Sequence, residues 1–194
     1  QNLDTRPGFF HGDEAMLVMY GRAPYFRQNP RANEPPWRVL YQPYLSAIPR
    51  AFLRDLTENL VQYLLGGDGK PPAELMNEMR ESIGAGTLPV KSLAKMESLN
   101  QNPSVYAKSA EEGKTPRRAA LEVALRMNPV PKQGDRVVYY IAYGEKGRKA
   151  MWQRAYALSE YDPVLCPYDP GVYLKKLDEW QEKFADLLTI QPAS

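Results

Sequence analysis

The chain has 194 residues, of which 43% are hydrophobic and 25% are charged, so it can bury a core and is not a disordered tail. A single cysteine, Cys166, excludes an internal disulfide framework. There is no long apolar run and no signal-peptide pattern at the N-terminus, so we expect a cytoplasmic globular protein without membrane insertion or export.

The formal net charge of +2 hides an uneven distribution. Residues 1–90 carry 9 basic and 10 acidic side chains, residues 91–154 carry 13 and 6, and residues 155–194 carry 3 and 7. A basic middle in a near-neutral chain favours a surface for polyanions, because each neutralised phosphate releases counterions. The alternative interpretation is a solvated charged face.

The first 42 residues are rich in Pro, Arg, Asn and aromatic side chains and show little periodicity. The stretch EAMLVMY at residues 14–20 is the one strand predicted there. We interpret the remainder as a loop that packs through its aromatic side chains, or as a segment that docks on a partner.

Two helices are predicted next. In residues 48–65 the apolar side chains recur every three or four positions, as in an amphipathic helix, and a Gly-Gly pair follows. Pro71 and Pro72 suit the first turn of a second helix over residues 73–83. Residues 91–114 are then predicted as a polar, basic connection with one short extended or helical element at residues 92–99.

The second half alternates helix and strand. Thr115 fits an N-cap with Pro116 at the first position of a helix over residues 117–127. Strands are predicted at residues 137–143 and 150–158, joined by a hairpin connection, and Asp169 is predicted to cap a last helix. The last helix has an apolar stripe of Tyr173, Leu177, Trp180, Phe184, Leu187 and Leu188. The fold class predicted is α+β, mostly helical with a small antiparallel β-hairpin or sheet.

Self-contained catalytic chemistry has little support in the sequence. His11 is the only histidine and Cys166 the only cysteine, so neither a zinc site nor a Ser-His-Asp arrangement can be assembled, and no phosphate-binding loop occurs. A small enzyme that used His11, Asp13 and Glu14 as acid–base groups would need all three to meet in one pocket.

The predicted hairpin combines aromatic and basic side chains. Tyr139, Tyr140, Tyr143 and Trp152 could simply fill a core. Cations lie at both the flanks and the turn, however, and long cationic side chains can hold a phosphate backbone without reading bases. These cations are Arg136, Lys146, Arg148, Lys149 and Arg154.

The order of several segments resembles the thumb region of family B DNA polymerases, especially the bacterial members. The segments are AFLRDLTENLVQYLLGGD (51–68), SLAKMESLNQNPSVY (92–106), TPRRAALEVAL (115–125), QGDRVVYYI (133–141), QRAYALSEYDP (153–163) and YDPGVYLKKL (168–177). Each is short and degenerate, and the ordered series is more specific than any member.

The resemblance implies a thumb-like DNA-binding domain at residues 43–194, preceded by a palm-edge or partner-docking segment at residues 1–42. Such a lobe grips double-stranded primer–template DNA through phosphate contacts. A separate palm and fingers polypeptide of the same polymerase would perform nucleotidyl transfer and hold Mg²⁺, at the nucleoid. The DNA-binding residues expected are Lys91, Lys95, Tyr106, Arg117, Arg118, Lys146, Arg148, Lys149 and Arg154.

One departure from the family concerns the metal-binding turn of the palm. FFHGDEAMLVMY (9–20) has Asp13 at the first carboxylate position but Ala15 at the second, so it is either a chance likeness or a relic of that turn. We therefore assign no catalytic residue, metal or cofactor to this chain and expect that it does not synthesise DNA alone. The alternative hypothesis is a non-catalytic accessory DNA-binding or assembly factor with a polymerase-thumb fold.

Overall fold

The computed structural model describes residues 45–64, 69–144 and 150–189. These residues form two compact units: unit 1 contains residues 45–48, 52–64, 69–81 and 175–189, and unit 2 contains residues 49–51, 82–144 and 150–174. The fold is mostly helical with one small antiparallel sheet, which confirms the predicted α+β class. The strand predicted at residues 14–20 lies outside the described residues.

The described helices and strands follow one another in a mixed order. The helices are α1 (Ala51–Leu64), α2 (Pro72–Gly84), α3 (Val90–Leu93), α4 (Pro103–Glu111), α5 (Ala119–Arg126), α6 (Met151–Arg154), α7 (Pro170–Lys183) and α8 (Ala185–Leu188). The strands are β1 (Lys95–Ser98), β2 (Arg136–Ile141) and β3 (Ala155–Ala157), and a 3₁₀ turn covers Leu158–Glu160.

The core of unit 1 is built from the apolar faces of α1 and α7. Residues three and four positions apart lie on the same face of a helix. The apolar residues that recur at this spacing in α1 and α7 therefore form one buried surface. This confirms the helices predicted over residues 48–65 and 73–83 and at the C-terminus. The buried side chains of this core are Leu45, Leu56, Leu60, Val61, Leu64, Met76, Leu177, Trp180, Phe184 and Leu187.

A buried hydrogen bond crosses the core of unit 1. The indole Nε1–H of Trp180 donates to Oγ1 of Thr57 at 3.0 Å, and the Thr57 hydroxyl donates to the carbonyl of Leu53 at 2.8 Å. Thr57 and Trp180 are both buried. Because both polar groups have partners, their burial does not carry the penalty of an unsatisfied donor or acceptor.

Unit 2 is organised by the three-stranded sheet, whose order is β1-β2-β3 with both pairs antiparallel. Lys95 pairs with Tyr139 and Tyr139 with Ala157, so these three side chains lie on one face. Helix α5 packs on β2 and β3 and also contacts α4. The apolar side chains Leu121 and Ala124 of α5 are buried there.

Helix α4 was not predicted, because residues 91–114 were interpreted as a connection. Its start is nevertheless marked in the sequence. Asn102 is the N-cap, its side-chain oxygen accepts from the backbone N–H of Ser104 at 2.9 Å, and Pro103 occupies the first turn. The abundance of polar and charged residues in this stretch obscured that signal.

The predicted N-cap of α5 is wrong by three residues. Arg118, not Thr115, is the N-cap, and the helix begins at Ala119, so Pro116 lies before it. The Thr115 hydroxyl instead hydrogen-bonds the hydroxyl of Ser109 on α4. A tertiary hydrogen bond has therefore replaced the local cap that the residue type suggested.

The returning strand of the hairpin is shorter than predicted. Residues 151–154 form the helical turn α6, and only Ala155–Ala157 pair with β2. The side chain of Gln153 accepts from the backbone N–H of Ala150 at 3.3 Å, which stabilises the helical turn. At the last helix the prediction is confirmed, since Oδ1 of Asp169 accepts from the N–H of Gly171 at 2.9 Å.

We predict that Trp180→Ala lowers the free energy of unfolding by about 3–5 kcal/mol, because it removes a large core side chain and leaves Thr57 without its donor. Thr57→Val, which leaves the indole N–H unpaired, should cost about 1–3 kcal/mol. Urea unfolding measures both. Val164→Ala, at a side chain that is 82% exposed, is the control. A loss below about 1 kcal/mol for Trp180→Ala would contradict this account.

Burial makes stability depend on pH at the alkaline end. Tyr173 is buried, its Oη accepts from the backbone N–H of Ile141 at 2.8 Å, and burial raises its pKa to about 12. The ordinary value of about 10 applies in the unfolded chain. Stability from keeping this phenol neutral is therefore fully present below pH 10 and is lost as the pH rises towards 12.

We expect unfolding free energies measured between pH 10 and pH 12 to fall by about 1.4 kcal/mol per pH unit for this one group. Tyr173→Phe should make the fall shallower by about that amount, although it lowers stability at neutral pH by removing the acceptor for Ile141. Tyr143→Phe, at an exposed ring, should leave the fall unchanged. An identical alkaline slope in Tyr173→Phe and the parent chain would refute the assignment.

Candidate nucleic-acid interface

Arg117 and Arg118 lie immediately before α5, where the chain turns into the helix. The backbone N–H of Arg118 donates to Oη of Tyr106 on α4 at 2.8 Å. That same hydroxyl donates to Oε1 of Glu122 at 2.8 Å, and Nη1 of Arg117 donates to this carboxylate oxygen at 3.0 Å. The buried tyrosine thus fixes the backbone that carries both arginines.

A second carboxylate, that of Glu97 on β1, contacts Lys95, Tyr139 and Arg118. Its Oε2 is 3.3 Å from Nζ of Lys95 and accepts from Oη of Tyr139 at 3.2 Å, and its Oε1 is 3.8 Å from Nη2 of Arg118. Lys95 and Glu97 are two residues apart on a strand and so share a face. Arg118 connects this group to the one around Glu122.

We call Lys95, Arg117 and Arg118, together with Glu97 and Glu122, the cation cluster. The three cationic side chains are 31%, 35% and 43% exposed, whereas Glu97 and Glu122 are 27% and 14% exposed. The carboxylates therefore lie deeper than the cations. The cluster carries one net positive charge and presents its guanidinium and ammonium groups to solvent.

Arg117 is also held by an aromatic ring. Its guanidinium carbon is 5.1 Å from the centroid of the Trp152 ring on α6, within the range of a cation–π interaction. The hydrogen bond to Glu122 raises the pKa of Arg117 further, so the group stays charged. Trp152 thus supports the arginine from the side, and the hairpin aromatic residues do not all fill the core.

Tyr106 and Arg154 are placed differently from the prediction. Tyr106 has no exposed surface, and burial, as the largest cause, raises its pKa. Arg154 is 12% exposed, and its Nη1 donates to Oδ2 of Asp169 at 2.6 Å and to the carbonyl of Ala142 at 3.3 Å. Neither side chain presents a surface to DNA here, so we retain both as positioning residues and not as contacts.

Among the other predicted cations that the structure describes, Lys91 is not part of the cluster. Lys91 lies on α3 with an exposed side chain and forms no ion pair with any residue in the described ranges. Lys146, Arg148 and Lys149 lie outside the described residues. Of the predicted DNA-binding residues, the described part of the chain brings Lys95, Arg117 and Arg118 together.

The residues missed by sequence reasoning are Glu97 and Glu122, which orient the cations. Arg126 was missed as well: its guanidinium carbon is 5.0 Å from the centroid of the Tyr156 ring, and its side chain donates to the carbonyls of Glu122 and Ala155. The spacing of Lys95 and Glu97 could have revealed one pair, since alternate residues of a strand share a face. The pairing of Arg117 with Glu122 had no such signal.

Two further features bear on what the site can do. Within residues 45–64, 69–144 and 150–189, no three His, Cys, Asp or Glu side chains are grouped so as to hold a metal ion. His11, Asp13 and Glu14 lie outside those ranges. Over the same part of the chain, none of the helices has the length and apolar character needed to span a bilayer.

The sequence matches no protein-family model and no curated protein. The fold, by contrast, is similar to part of a DNA polymerase. That polymerase is described as the family B DNA polymerase from the hyperthermophilic archaeon Pyrobaculum calidifontis, and its structure matches with a TM-score of 0.54 and 18% sequence identity. The match covers 73% of this chain and 18% of the polymerase chain. A polymerase-like fold is thereby confirmed.

We predict that Tyr106→Phe lowers the free energy of unfolding by about 1–3 kcal/mol, because it leaves the partly buried N–H of Arg118 without its acceptor and the Glu122 carboxylate without a donor. Equilibrium denaturation in urea measures the change. Tyr143→Phe removes a hydroxyl from an exposed ring and should change stability by less than about 0.5 kcal/mol. Equal effects of the two substitutions would show that the Tyr106 hydroxyl does not hold α4 and α5 together.

Proposed function

We propose that this chain is the thumb-containing part of a family B DNA polymerase and grips primer–template duplex DNA while a separate palm and fingers polypeptide performs nucleotidyl transfer. Mg²⁺ would be held by that catalytic partner, and the chain would work at the nucleoid. The fold likeness to a family B polymerase and the order of the thumb-like sequence segments support the proposal.

The cation cluster is the observation that carries the proposal. A guanidinium has five N–H donors, and the described ion pairs of Arg117 and Arg118 engage only part of that capacity. The remaining donors are available to phosphate oxygens, which match the planar geometry of the group. The contacts would be to the backbone of the duplex, which position a protein without reading sequence.

The carboxylates limit the affinity of the cluster. Glu97 and Glu122 cancel two of the three positive charges, so a phosphate must compete with them or bind beside them. The result is a surface of moderate affinity with fixed geometry. Moderate affinity suits a lobe that must hold a duplex and also let it advance. High affinity for the duplex would come from the whole polymerase assembly.

We expect the affinity for primer–template duplex to fall as salt rises, with a slope of log K against log salt of about −0.9 for each phosphate neutralised. Arg117→Ala with Arg118→Ala should make the slope shallower by roughly 2 units. Fluorescence anisotropy with a labelled duplex at several salt concentrations measures both slopes.

Lys175→Ala with Lys176→Ala is the matched control. It removes the same charge from α7, in the acidic last part of the chain, and should leave the slope unchanged. A salt-independent affinity, or equal losses in the two double variants, would contradict the proposal. Stability should be retained in both, since substitutions at exposed cations usually change it by less than about 0.5 kcal/mol.

A further inference from the structure

Arg50 lies immediately before α1 and against the outer edge of the sheet in unit 2. An isolated antiparallel bridge pairs it with Lys95 on β1, and the backbone N–H of Met96 donates to the carbonyl of Pro49 at 3.3 Å. Lys95 in turn pairs with Tyr139 on β2. Residues directly opposite one another across a sheet share a face, so Arg50 extends the row formed by Lys95 and Tyr139.

The pairing of Arg50 with Lys95 places two cations directly opposite each other, an arrangement that destabilises a sheet. Among the described residues, one carboxylate contacts the pair: Oε2 of Glu97 is 3.3 Å from Nζ of Lys95. The other oxygen of that carboxylate is 3.8 Å from Nη2 of Arg118. Arg50 and the cation cluster together have four cations and two carboxylates, a net charge of two. Local rules of this kind are broken mostly at functional sites, so the pair indicates an anionic ligand.

The Arg50 guanidinium lacks the acceptors that comparable arginines have. Arg54, Arg80 and Arg154 are half-buried, and each donates from a terminal nitrogen to a carbonyl or carboxylate oxygen. Arg50 is also half-buried, but its side chain makes no hydrogen bond or ion pair with the described residues, and its Nε is buried without a partner. An unsatisfied donor on a charged group is costly, so an anion at this position would remove a penalty that the fold otherwise carries.

Two tyrosine hydroxyls show where the charge of Arg50 lies. Burial raises the pKa values of Tyr139 and Tyr173, and the positive charge of Arg50 opposes this rise in both. Both tyrosine side chains are buried in unit 2, so the positions of their hydroxyls are fixed. The guanidinium is therefore held close to the face of the sheet that carries Lys95 and does not extend away into solvent. An anion at this face would meet both cations.

Phosphate is the anion that fits this arrangement. Its oxygens can accept from a guanidinium and from an ammonium at the same time, and Arg50 and Lys95 supply those two donors side by side. Lys95 also belongs to the cation cluster, so a duplex held by the cluster has backbone phosphates close to Arg50. We propose that Arg50 binds a phosphate of the duplex backbone beside Lys95, so that the DNA-binding surface continues across the outer edge of β1. This inference rests on the function proposed above.

Arg50→Gln tests the charge, because glutamine keeps a side-chain donor and much of the volume. Duplex binding by the full chain is measured by fluorescence anisotropy at several salt concentrations. The slope of log K against log salt should become shallower by about 0.9 in Arg50→Gln, which corresponds to one neutralised phosphate. Arg50→Lys keeps the charge and should retain the slope of the parent chain. Lys175→Gln, at an exposed cation on α7, is the control and should leave the slope unchanged.

Stability separates a ligand-binding role of Arg50 from a structural one. Because Arg50 opposes Lys95 and has no carboxylate partner in the described part of the chain, Arg50→Gln should leave the urea midpoint of the free protein unchanged or raise it. Arg154→Gln removes the cationic partner of Asp169 and should lower the midpoint. A fall in Arg50→Gln as large as that in Arg154→Gln would overturn the proposal, because it would show that Arg50 stabilises the fold.

The salt slopes also separate this inference from the function on which it rests. If Arg50→Gln and the parent chain have equal slopes while Arg117→Ala with Arg118→Ala makes the slope shallower, the Arg50 contact is refuted and the proposed function is retained. If the parent chain shows no salt-dependent binding of duplex, the proposed function is refuted and the Arg50 contact with it.

Free phosphate is the other source of the same chemistry. Inorganic phosphate at about 10 mM, added at constant ionic strength, would raise the urea midpoint if it bound the folded protein. A rise in the parent chain that is absent in Arg50→Gln, together with equal duplex slopes in the two proteins, would assign Arg50 to free phosphate and overturn the duplex contact. A slope that is shallower in Arg50→Gln supports the duplex contact.

Discussion

The hydroxyl of Tyr106 is the interaction on which the cationic surface of unit 2 depends. It joins α4 to the start of α5 by accepting from Arg118 and donating to Glu122, and the Tyr106 side chain that carries it is fully buried. A buried polar group of this kind is costly unless both of its bonds are made, so its two partners are held in one arrangement. The positions of Arg117 and Arg118 follow from that arrangement.

Pairing the cations with deeper carboxylates orients the cations more than it stabilises the fold. Exposed ion pairs contribute only about 0–1 kcal/mol, so the pairs around Glu97 and Glu122 add little to folding. They do restrict where the long side chains point. A polyanion approaching this surface meets oriented donors and a small net charge. The interaction is local, because charges are screened beyond about 8–10 Å at physiological salt.

Much of the fold was readable from the sequence, because it depends on periodicity. The stripes of α1 and α7 are long and regular, and they predicted both helices and their buried faces. Local rules failed where tertiary contacts competed with them. Thr115 has the right residue type for a cap but bonds Ser109, and the polar composition around α4 concealed the Asn102–Pro103 start signal. Strand β1 lies outside the predicted hairpin. It is only four residues long, and a pattern that short does not distinguish a strand from a helical turn.

The candidate site was readable only in part. The count of basic side chains drew attention to residues 91–154, and three cations of that stretch, Lys95, Arg117 and Arg118, do come together. The sequence gave no means of telling which side chains reach solvent, so Tyr106 and the cation Arg154 were expected on the surface, although both are packed inside unit 2. The carboxylate partners could not be assigned because Arg118 and Glu97 meet only once α5 has packed on the sheet.

The division of the chain between the two units has a consequence for its synthesis. Unit 2 draws nearly all its residues from one stretch, whereas unit 1 combines α1 with helices encoded after that stretch, and Thr57 and Trp180 are 123 positions apart. During synthesis on the ribosome, unit 2 can fold before α7 has been synthesised to pack on the apolar face of α1. Until α7 emerges, the part of the apolar face of α1 that α7 covers is exposed, which favours aggregation during that interval.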